Sequence, residues 1–144
     1  MLRVVLDTSV WVSGLLWGGL PGAVLALIDE GKLTVYATAQ MLNELARVLG
    51  YRKFHQRLQS LGLTPAQILD AVQNSVHLLE VPSSGEPLVP EDPSDDVFLR
   101  LAADAGADYL ISGDEHLLSL KAHGGVPIVT VHQFLEAHFP DHLF

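Results

Sequence analysis

Residues 4–10, Val-Val-Leu-Asp-Thr-Ser-Val, constrain this chain more than any other stretch. Three apolar side chains in succession read as a buried strand that ends in Asp7, and Thr8 and Ser9 supply the polar start of a helix. A continuously apolar strand belongs to a parallel sheet with helices on both faces. In such sheets ligands bind beyond the carboxyl ends of the strands. A carboxylate at that position is placed for chemistry, and burial obliges it to find a partner.

The same alternation runs through the rest of the chain. Apolar residues 10–17 give a short helix stopped by Gly18 and Gly19. Pro21 opens a second, with Leu20, Val24, Leu25, Leu27 and Ile28 as its stripe and Gly31 as its end. Residues 33–37 read as a strand, and Thr38 caps a helix through Leu49 that carries Glu44. Helices over residues 51–61 and from Thr64-Pro65 to Ser75 precede a strand at residues 77–81. Residues 82–93 turn to Pro, Ser, Gly and Glu and read as a loop, after which Ser94 caps a helix that stops at Gly106. Tyr109, Leu110 and Ile111 form a strand with Ser112, Gly113 and Asp114 directly behind it. Residues 126–131 form the last strand, followed by a helix to His138. Strands alternating with helices predict an α/β fold, a parallel sheet between helical layers, in a single domain over residues 1–144.

Composition removes several alternatives. With 49% apolar and 17% charged residues the chain is not disordered, and without cysteine it has neither disulfides nor thiolate zinc sites. His116, His123, His132, His138 and His142 are read as surface or capping residues rather than a zinc site. No glycine-rich nucleotide motif follows any strand. The apolar run before Asp7 is too short for a signal peptide or a membrane span, so a cytoplasmic location is expected. Trp11 and Trp17 are read as core or interface anchors in preference to base-stacking platforms. The net charge of −9 opposes polyanion binding unless the acids surround a divalent cation. Arg47, Arg52, Lys53 and Arg57 then form either a local basic patch or a solvated helical face.

Asp7 and Asp114 each follow a strand and emerge on one edge of a parallel sheet. Asp96 begins a helix that starts at that edge, and Glu44 lies one turn into another. Convergence of these acids would bind one or two hard cations, Mg²⁺ or Mn²⁺, which acidify an attacking water and align it with a phosphodiester. Taken singly, Asp96 is also explained as a charge at a helix N-terminus and Glu44 as an ordinary helix acid.

Four motifs carry a resemblance: V-L-D-T-S-V near the N-terminus, N-E-L at residues 43–45, D-P-S-D-D-V-F-L at residues 92–99, and G-A-D-Y-L-I-S-G-D-E-H-L-L at residues 106–118. In this order and spacing they closely resemble the PIN-domain ribonucleases, above all the prokaryotic toxin components of toxin-antitoxin pairs related to the VapC toxins. The resemblance implies a three-layer α/β/α fold around a short parallel sheet and metal-dependent endonucleolytic cleavage of RNA. It also implies a small antitoxin as partner and pairing as a homodimer. The family's acids map onto Asp7, Glu44, Asp96 and Asp114. Ser9 and Ser112 would orient water or carboxylates, and Asp95 would assist or replace Asp96. Arg100 stands where relatives often carry glutamate, which leaves an auxiliary acid at that position in doubt.

Two rival classes share the topology. A haloacid-dehalogenase phosphohydrolase needs an aspartate where this chain has Ser9, and a phospho-acceptor receiver needs its acceptor on the third strand. The non-enzymatic rival is a protein-binding scaffold that keeps the fold without activity, for instance with an arginine from a partner lodged in the acidic cleft.

Overall fold

A computed structural model describes residues 1–80 and 96–143. Within them, strands β1 (Leu2–Leu6), β2 (Leu33–Ala37), β3 (His77–Leu78), β4 (Tyr109–Ile111), β5 (Ala122–His123) and β6 (Val126–Val129) form one sheet in the order β3-β2-β1-β4-β6-β5. All neighbours pair in parallel except β5 with β6. Helices α1 (Thr8–Trp17), α2 (Gly19–Asp29), α3 (Ala39–Leu49), α4 (His55–Leu61), α5 (Pro65–Ser75), α6 (Asp96–Asp104), α7 (Glu115–Leu118) and α8 (Val131–His138) complete the three-layer α/β/α arrangement. The expected sandwich is therefore present.

β1 sits in the middle because it is apolar on both sides. Val4, Val5 and Leu6 are fully buried, with α6 packed across β1, β2 and β4 and with α2 packed on β2 and α8. From β1 the chain moves outward to β2 and β3, then returns to lay β4 on the other side of β1. That reversal is a topological switch point, the place where open parallel sheets leave a crevice. Leu6 lies opposite Ile111 in the β1–β4 register, so the next residues along, Asp7 and Ser112, lie side by side at its mouth.

Local signals account for most element boundaries. Thr38, Thr64 and Thr130 each accept a hydrogen bond from the backbone N–H of the residue three positions on, fixing the starts of α3, α5 and α8. Gln67 and Gln133 complete capping boxes at the last two. The last strand is therefore shorter than expected, since Thr130 leaves it to cap α8. The antiparallel β5 is a departure from the all-parallel expectation. Gly124 and Gly125, at φ +57° and +80°, form the two-residue turn that joins it to β6. The segment expected as one helix over residues 51–61 is a short 3₁₀ turn, Arg52–Phe54, followed by α4. The strand expected over residues 77–81 is confined to His77–Leu78, with Leu79 and Glu80 outside it, and Val81, the loop at residues 82–93 and the Ser94 cap lie outside the described residues. Among the described residues no single helix is long and apolar enough to cross a membrane.

α1 and α2 meet at 94°, and the corner depends on Gly14. A Cβ there would stand 2.7 Å from Leu25 Cδ1 and 3.0 Å from the Pro21 carbonyl. Gly14→Ala is expected to destabilise the protein by about 1–3 kcal/mol, because backbone as well as side chain must give way. Thermal or denaturant unfolding reads this directly, and an unchanged midpoint would mean that α2 shifts freely.

Candidate active site

Asp7 is 4% exposed and serves as the N-cap of α1, so the cap is the aspartate itself rather than the Thr8-Ser9 pair behind it. Its Oδ1 accepts from the Val10 backbone N–H at 3.0 Å and from Ser9 Oγ at 2.7 Å, and its Oδ2 accepts from Ser112 Oγ. Ser112, 1% exposed, also accepts from the Asp114 backbone N–H at 2.9 Å. One hydroxyl thereby ties the ends of β1 and β4 together. Asp114 caps α7, its Oδ1 accepting from the His116 N–H at 2.7 Å.

Burial raises the Asp7 pKa above its ordinary 3.8, against the opposing pull of hydrogen bonds from Ser112, Ser9, Val10 and Gly113. Among the described residues no lysine, arginine or histidine forms an ion pair with it. Dipoles alone stabilise a buried carboxylate incompletely, so the position favours an added cation.

Asp7, Glu44 and Asp114 line one cleft of about 810 Å³, together with Ser9, Gln40 and Asn43. Asp96 opens α6 half-buried, and the two residues after it, Val97 and Phe98, line the same cleft. Asp95 lies outside the described residues. Glu44, on the second turn of α3, is held by Arg47: Nε donates to Oε2 at 3.0 Å and Nη2 to Oε1 at 2.6 Å. Both side chains are exposed enough for water to screen the pair, so a divalent cation can compete for Glu44.

Among the described residues no three His, Cys, Asp or Glu side chains are grouped closely enough to hold one ion. Asp7, Glu44 and Asp114 thus share a cleft without being closed around a common point, while Asp96 is not among the residues that line it. Their chemistry still suits a hard cation. Mg²⁺ keeps several waters and is commonly held by one or two carboxylates plus substrate phosphate. Asp7 and Asp114 both line the cleft, and Ser112 joins the Asp7 carboxylate to the Asp114 backbone N–H.

Arg47 and Lys53 line the cleft, whereas Arg57 is committed elsewhere, its Nε donating to the Leu16 carbonyl at 2.6 Å. The Glu44–Arg47 pair was not anticipated, although its three-residue spacing on a helix is a legible signal. The histidines form no metal cluster among the described residues. The His138 ring packs against Phe134 and its Nε2 lies 2.7 Å from the Tyr109 hydroxyl.

Comparison with known proteins bears on the fold and the family. The chain is 30% identical over 123 residues to uncharacterized protein MJ1680 of Methanocaldococcus jannaschii, a match covering 83% of this chain and 76% of the relative. The crystal structure of PAE2754 from Pyrobaculum aerophilum superposes with a TM-score of 0.59 at 19% identity, covering 94% of each chain, a likeness of fold. The PIN-domain family model matches residues 3–116, which include all of β1 but Leu2, the switch point and every candidate acid. With most of its length matched in this way, the chain belongs to the PIN-domain family.

Proposed function

We propose that this protein is a Mg²⁺- or Mn²⁺-dependent endoribonuclease acting through Asp7, Asp114, Asp96 and Glu44. PIN domains are typically metal-dependent nucleases. The observation that carries the reading is Asp7, a buried carboxylate at the switch point with no cationic partner among the described residues, facing a cleft shared with two more acids.

In this reading Asp7 and Asp114 are the principal ligands. A divalent cation held there would lower the pKa of an attacking water and offset charge on the phosphodiester. Ser9 and Ser112 fix the Asp7 carboxylate by donating to its two oxygens, so little reorganisation is left for the reacting state. Glu44 would join on release from Arg47, and Asp96 would act from the first turn of α6, with Asp95 as its auxiliary. The toxin role, a small antitoxin as partner and pairing as a homodimer are the finer parts of the proposal, supported by the sequence motifs.

A second reading, a silent scaffold, draws support from Arg47, which occupies Glu44 from within the chain much as a partner's arginine would from outside. A Mn²⁺ titration by calorimetry separates the two. Saturable binding that Asp7→Asn weakens supports the nuclease. Failure of the wild type to bind Mn²⁺ supports the scaffold.

A further inference from the structure

We infer that the part of the cleft lined by Trp17, Phe54, Lys53 and Arg47 is a subsite for an unpaired nucleotide adjoining the phosphate to be cut. Only the identity of its occupant rests on the nuclease reading. Trp17 closes α1 with 55% of its surface exposed, whereas Trp11 is 5% exposed and belongs to the core. The indole is held in place. It meets the buried Phe54 ring edge-on at 5.6 Å, and the α1 terminus beneath it is tied to α4 through Arg57 and the Leu16 carbonyl.

One cation lies against the Phe54 ring and a second against the neighbouring Tyr51. Lys53 Nζ lies 5.1 Å from the Phe54 centroid, and the Arg47 guanidinium lies 5.4 Å from that of Tyr51. Both cations line the cleft that contains Asp7, in a chain whose formal net charge is −9. A fixed aromatic surface beside Lys53, and beside Arg47 once it leaves Glu44, is what stacking on a base and pairing with its phosphate require, and a base inside a duplex is not available for stacking. The occupant is therefore a single-stranded segment.

The test uses Asp7→Asn protein, which should bind without cutting, with oligoadenylate as the single strand and the same strand paired to oligouridylate as the duplex. Single-strand binding is expected to quench the fluorescence of Trp17, with duplex binding weaker. Trp17→Ala should weaken single-strand binding about tenfold, and Trp17→Phe should restore most of it. Lys53→Gln should lower the salt dependence of binding by about 0.7 in the logarithmic slope. Equal affinity of Trp17→Ala for the single strand would overturn the subsite. So would a Trp17→Ala protein that loses a dimer in sedimentation yet binds oligoadenylate unchanged, which assigns the surface to a second copy. Quenching with no cleavage by the wild type supports the subsite and removes the nuclease. Cleavage by the wild type with binding indifferent to Trp17 does the reverse.

Discussion

Asp7→Asn is expected to lower RNA cleavage by roughly a thousandfold or more, the loss of several kcal/mol of metal-assisted stabilisation. The same substitution should raise the thermal stability of metal-free protein near neutral pH. Asparagine keeps an oxygen for Ser9 and the Val10 N–H, and its amide can donate to Ser112 Oγ, so the cap and the link between strands survive. What disappears is the cost of holding a charge 4% exposed to water. The sign follows from the raised pKa. The unfolded carboxyl ionises at its ordinary 3.8 and the folded one higher, so between those values the folded state retains a proton that the unfolded state has released. Stability contributed by Asp7 therefore falls as pH rises through that window, and the penalty is constant above it. Melting curves of both proteins in chelator should converge near and below pH 3.8, with the Asn variant gaining as pH rises and then holding its lead. A variant that is less stable at neutral pH would show that the protein already compensates the charge.

Ser112→Ala should cost about ten- to a hundredfold in activity or metal affinity, the usual effect of removing a group that orients a ligand. Its hydroxyl donates to Asp7 Oδ2 and accepts from the Asp114 N–H at 2.9 Å. Truncation leaves both partners short of a hydrogen bond, and an unsatisfied buried group costs about 1–3 kcal/mol in stability. A purely structural serine would lower the melting temperature and leave metal affinity alone. Weaker Mn²⁺ binding at a temperature where the variant is fully folded marks the positioning role, and unchanged binding with full cleavage would refute it.

The frame of the fold is legible wherever a local signal is strong. The apolar run ending at Asp7 is β1, and Thr38 and Thr64 cap the helices expected of them. The register that pairs Leu6 with Ile111 is not legible, yet it sets Ser112 against Asp7, because register follows from packing across the whole sheet. β5 is missed since a two-residue strand has no periodicity, although the Gly124-Gly125 pair marks its turn. Of the candidate acids, strand ends locate Asp7 and Asp114 well. Glu44 is found in the cleft but already engaged by Arg47. Whether Trp17 faces core or solvent depends on the direction α2 takes after a 94° corner, which residue spacing does not encode.

The most direct measurement is cleavage of a mixed pool of single-stranded and structured RNAs by wild type and Asp7→Asn prepared side by side, in Mg²⁺, in Mn²⁺ and in EDTA. Cutting that requires the metal and is lost in the variant is the predicted result. Cutting that persists in EDTA or in Asp7→Asn, from preparations free of contaminating nuclease, would contradict an Asp7-centred metal site.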